Sequence, residues 1–141
     1  MAAAKSLTAV ELERVLNYTA AGGYAQRNRV MLLMTVAAGL RVSEVAGLTL
    51  GDVLDADGCV RSEVRLAAHR VKHNHARTIY LNTRLQAELT AYISTRTLQA
   101  RELPLFPTQR GQRCAFSANT LAQHFYWLYK RAGVSGASSH S

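Results

Sequence analysis

The chain has 141 residues, 48% hydrophobic and 18% charged, a composition that supports one globular domain with its own core and excludes a largely disordered chain. Its two cysteines are too few for a disulfide framework, and its longest apolar run, Val30 to Leu40, is far below the ~20 residues of a membrane span. The net charge of +8 is uneven: residues 1–60 carry five Lys/Arg against six Asp/Glu, and residues 61–141 carry twelve against three. Arginine supplies 14 of the 17 positive residues, and its planar fork suits phosphate oxygens. Charge alone fits a nucleic-acid surface and a GC-rich coding bias equally well. The N-terminus MAAAKSL has no long apolar segment or cleavage signal, so a cytoplasmic protein is expected.

In chain order, Thr8-Ala9-Val10-Glu11 is a capping box. With Leu7 and Leu12 as a hydrophobic staple, it predicts a helix from Thr8 to about Tyr18. Ala21-Gly22-Gly23 breaks the chain. A second helix from about Ala25 to Ala38 begins polar and becomes apolar throughout, as a central core helix would, and stops at Gly39. Arg41 then sits in a tight connection before a short helix that Ser43 can cap, beside backbone N–H groups that favour an anion. After the turn Asp55-Ala56-Asp57-Gly58, the alternating segments Val60–Val71 and Arg77–Leu81 read as antiparallel strands joined by a polar tip, residues 72–76. Asn82 and Ser117 can cap two further helices, bearing Leu85, Leu89, Tyr92 and Ile93, and Leu121, Phe125, Leu128 and Tyr129. Between them Leu103–Pro107 must be irregular, and residues 109–113 form an exposed basic loop with Arg110 and Arg113. The expected fold is α+β, mostly helical with a small three-stranded antiparallel sheet.

The segment Ala38-Gly39-Leu40-Arg41-Val42-Ser43-Glu44-Val45, followed by Leu48 and Asp52, resembles the first conserved box of the tyrosine recombinase (phage integrase) catalytic domain, with Ala38 in place of the usual threonine. A hairpin with a lysine near its tip, a leucine-rich helix, an LF-P segment, a further helix and a Ser-Ser-His ending follow in the family's order, so the resemblance covers essentially the whole chain.

The resemblance implies attack of a tyrosine hydroxyl on a DNA phosphate, a 3′-phosphotyrosyl link and release of a 5′-hydroxyl, without a metal or other cofactor. Such chemistry needs cations and hydrogen-bond donors aimed at the nonbridging oxygens. Arg41 matches the first arginine, Lys72 the lysine that protonates the leaving oxygen, and His140 the histidine opening the second box. Glu44 matches a buried carboxylate near the first arginine, and Asp52 completes the first box; both read as structural. The DNA-binding set is Arg41, Arg70, Lys72, His73, His75, Arg77, Arg110 and Arg113, and the partner is duplex DNA held through its phosphate backbone.

The second arginine and the nucleophilic tyrosine of the family would fall beyond Ser141, and none of the six tyrosines follows the second box. Residues 1–141 are therefore expected to be a partial catalytic domain without the N-terminal DNA clamp or the nucleophile-bearing segment, and inactive alone. Completion by self-association or a partner chain goes with that expectation; a non-catalytic helical interaction module is the alternative.

Several residues carry plainer readings. Arg41 could satisfy helix-end carbonyls or pair with Glu44 or Asp52, and Lys72 could be a solvated turn residue. His69, His73 and His75 share a strand face, but a zinc site wants a fourth ligand, and phosphate or water is the better partner.

Overall fold

The computed structural model describes residues 6–68 and 75–137. Helix α1 (Ala9–Ala20) starts at the predicted box: the Thr8 hydroxyl accepts the Glu11 N–H, and the Glu11 carboxylate accepts the Thr8 N–H, both at 3.1 Å. Such a cap contributes about 0.5–2 kcal/mol, and Leu7 and Leu12 both pack on the core. Helix α2 (Ala25–Val36) is central, in contact with α1, α3 (Val42–Ala46) and α5 (Thr83–Ser94). Val30 to Met34 are all buried, which explains an apolar pattern that runs around the helix instead of along one face.

The polar start of α2 departs from expectation, because Arg27 and Asn28 are also buried. Arg27 Nη1 donates to the carbonyl of Pro107 at 2.9 Å, and its Nε and Nη2 donate to Asn28 Oδ1, so both side chains enter the core with hydrogen-bond partners. The irregular Leu103–Pro107 segment is likewise interior. Its backbone is satisfied by Leu105 N–H to Leu48 O, by Leu50 N–H to Leu103 O, and by the Tyr92 hydroxyl and Arg96 Nη1 donating to Leu105 O. The stretch is irregular, as expected, and its apolar side chains Leu103, Leu105 and Phe106 carry it through the core.

The described sheet has two strands, not three. Strand β1 (Glu63–Leu66) pairs antiparallel with β2 (Arg77–Tyr80), Glu63 opposite Tyr80 and Leu66 opposite Arg77. No third strand is present among the described residues; outside the pair there are isolated bridges, one of them between Leu54 and Val60. Around that bridge α4 (Leu50–Val53) ends at Leu54, the Asp55 to Cys59 turn with Gly58 at φ +82° reverses the chain, and Asp55 N–H to Cys59 O and Arg61 N–H to Val53 O tie the two sides together at 2.8 Å. Helix α6 (Ala118–Arg131) closes the domain against α3 and α1, burying Leu121, Phe125, Leu128 and Tyr129 as its 3.6-residue period predicts. No helix among the described residues is long and apolar enough to cross a membrane.

Candidate functional site

The site begins at the end of α2. Gly39 takes φ +74°, a left-handed conformation that side chains resist, and turns the chain so that Leu40 is buried and Arg41 emerges half-buried. Arg41, not Ser43, is the N-cap of α3: its backbone is extended (φ −77°, ψ 156°), and the Glu44 carboxylate accepts its N–H at 2.8 Å. The cap therefore comes from within the helix, so a carboxylate already occupies part of the position where the sequence suggested an external anion.

Glu44 has a second partner across the fold. Arg77, the first residue of β2, brings Nη2 to 3.3 Å from Glu44 Oε1 and donates from the same nitrogen to Gly39 O at 2.8 Å. The Glu44 side chain is wholly buried, whereas that of Arg77 keeps 31% exposure. One arginine thus fastens the Gly39 turn, the start of α3 and the edge of the sheet together. The plain readings available for Arg41, satisfying helix-end carbonyls or pairing with Glu44, describe what Arg77 does. The Arg41 guanidinium makes no hydrogen bond or ion pair with any described residue, while its backbone is fixed by Glu44.

Asp52 lies at the third position of α4, where its Oδ2 accepts the Thr49 N–H at 2.8 Å and its own N–H donates to Thr49 Oγ1 at 3.3 Å. His75 is exposed just before β2. Arg110 and Arg113 are exposed on the excursion between Pro107 and Ala115, which a bridge between those two residues closes. Arg70, Lys72, His73 and His140, together with His69, lie outside the described residues. The fold therefore brings Arg41, Glu44 and Arg77 together.

Sequence reading missed a buried polar network behind α6. His124 Nε2 stands 3.2 Å from Asn28 Oδ1, and burial, followed by the charges of Arg27 and Arg131, pushes its pKa down to about 4. The neutral ring donating from Nε2 fits an oxygen that also accepts from Arg27. The only sequence signal was polar residues at the start of an otherwise apolar helix. On the outer side of α6, Tyr126 and Trp127 are exposed, and the Lys130 ammonium lies 5.8 and 5.4 Å from their ring centres.

Comparison with solved structures finds the same fold. The XerA recombinase crystal structure superposes with a TM-score of 0.75 at 20% identity, covering 99% of this chain and 47% of that one. Lambda integrase (residues 75–356) bound to DNA gives 0.71 at 15% identity, with coverages of 99% and 48%. The Tn1549 transposon integrase in complex with circular intermediate DNA gives 0.66 at 20% identity, with coverages of 96% and 48%. The chain thus spans about half the length of these structures and shares their fold. No curated protein matches the sequence. The phage integrase family model matches residues 5–141, almost the full chain, and the chain belongs to that family, the tyrosine recombinases.

Proposed function

We propose that this chain is the part of a tyrosine recombinase catalytic domain that grips a DNA phosphate, and that it serves DNA integration or site-specific recombination. The observation that carries the reading is Arg41: a guanidinium without a described protein partner on a backbone locked by Glu44 and, through Glu44, by Arg77. Its anchor point is fixed while its guanidinium is free to turn toward a phosphate, where it can stabilise charge that develops on the nonbridging oxygens. In this reading Lys72 delivers a proton to the departing 5′ oxygen and His140 adds a donor. Arg70, His73, His75 and the loop of Arg110 and Arg113 hold the duplex backbone, and Arg77 acts by positioning Arg41. Strand cleavage belongs to the intact enzyme, with the nucleophilic tyrosine supplied from outside residues 1–141, and the work takes place in the cytoplasm.

The test is a mobility-shift titration of nicked duplex DNA at several salt concentrations, scored also for covalent adducts. Binding should weaken steeply with salt, because phosphate contacts release counterions. Arg41→Ala should lower affinity about tenfold or more and reduce the salt slope by about 1, with no adduct from either protein. Equal affinity and slope in the variant would remove Arg41 from the interface and the proposal with it. A second reading, a protein-interaction module, rests on the adjacent exposed rings of Tyr126 and Trp127, 47% and 48% accessible. Self-association through that face without DNA affinity would favour it.

A further inference from the structure

Helix α6 buries Leu121, Phe125, Leu128 and Tyr129 and turns its other face to solvent. On that outward face Asn119, Gln123, Trp127 and Arg131 follow one another at four-residue spacing, and all four are exposed. At the 1.5 Å rise of an α-helix the stripe is about 18 Å long. Tyr126 and Lys130, also exposed, flank it. Residues 103–141, which include all of α6, contain no Asp or Glu, whereas Arg110, Arg113, Lys130 and Arg131 are all cations.

A solitary exposed aromatic needs no explanation. Here two stand side by side. Tyr126 and Trp127 are 47% and 48% accessible, and their ring centres lie 5.4 Å apart at 82°, edge to face. The Lys130 ammonium is 5.4 Å and the Arg131 guanidinium carbon 5.5 Å from the centre of the Trp127 ring. The stripe thus sets two amides, an aromatic pair and two cations in line.

A nucleic-acid strand with unpaired bases matches each of these chemistries. Base faces stack on an indole, phosphates meet the cations, and base edges carry donors and acceptors for the amides of Asn119 and Gln123. A duplex keeps its base faces in its own stack, and an acidic polypeptide matches the cations alone. We propose that the outward face of α6 is a platform for unpaired DNA bases, with a base stacked on Trp127 and its flanking phosphates on Lys130 and Arg131. This assignment rests on the DNA reading above for the kind of polymer, and it uses none of the residues named there.

Trp127 is the one tryptophan of the chain, so intrinsic fluorescence reports on this face directly. The full chain is titrated with a thymine oligonucleotide, and in parallel with an abasic strand of the same length, the thymine strand annealed to its complement, and polyglutamate. The thymine strand should quench the fluorescence saturably, and less tightly as salt rises. Trp127→Ala should weaken single-strand binding in a mobility shift about five- to a hundredfold and leave duplex binding unchanged. No quenching by the single strand, or single-strand binding that survives Trp127→Ala in full, would overturn the platform. An abasic strand that binds as tightly would reduce the contact to charge, and equal quenching by the duplex would remove the need for unpaired bases; either result overturns the proposal. Equal quenching by polyglutamate would give the face to an acidic protein partner instead. The two readings fail separately, since Arg41→Ala is scored on duplex affinity and Trp127→Ala on single-strand affinity.

Discussion

Replacing Arg77 with Met removes one partner of an ion pair whose other member, Glu44, has no exposed side-chain surface. Breaking a buried pair from one side costs about 3–5 kcal/mol. The 31% exposure of Arg77 lets water screen part of the interaction, which lowers that share to about 2 kcal/mol. The lost hydrogen bond to Gly39 O adds about 1 kcal/mol, for a total near 3 kcal/mol, or roughly 10 °C in melting temperature. Glu44→Gln keeps an acceptor for the Arg41 N–H and leaves behind an arginine that water can reach, so it should cost about 1 kcal/mol. Urea denaturation of the parent, both single variants and the double variant completes the cycle. The double variant should be more stable than the sum of the singles implies, by about 1–3 kcal/mol, because the second change removes the charge that the first stranded. Additive single effects, or a loss below about 0.5 kcal/mol for Arg77→Met, would refute the claim that this pair locks the Arg41 turn.

His124 titrates at about 4 in the folded chain and near 6.5 when unfolded. Its contribution is complete above pH ~6.5 and lost as the unfolded state alone takes up the proton, by about 2 kcal/mol at pH 5, levelling off near pH 4. Denaturation curves against pH should show this acid limb, and His124→Gln should flatten it; parallel limbs in the two proteins would count against the assignment. Gly39→Ala should cost about 1–2 kcal/mol, because nothing stands near the added methyl and the penalty is the φ of +74° alone; a neutral substitution by calorimetry would contradict that account.

The sequence by itself determined the helical frame and the family. Periodicity and caps are local properties, so the box at Thr8 and Glu11, the caps at Asn82 and Ser117 and the apolar stripe of α6 could be read residue by residue. The motif around Arg41 marked the site for the same reason, since its spacing lies within one short segment. Pairings between distant residues had no such signal. That the guanidinium of Arg77 rather than that of Arg41 pairs with Glu44, that Arg27 and Arg96 are buried against the Leu103–Pro107 segment, and that the described sheet has two strands instead of three were decided by the tertiary structure. A charged side chain takes its role from the carbonyl or carboxylate that folding places beside it, and the chain separations here are 33 residues between Glu44 and Arg77 and 80 between Arg27 and Pro107. No local pattern encodes a partner that far along the chain.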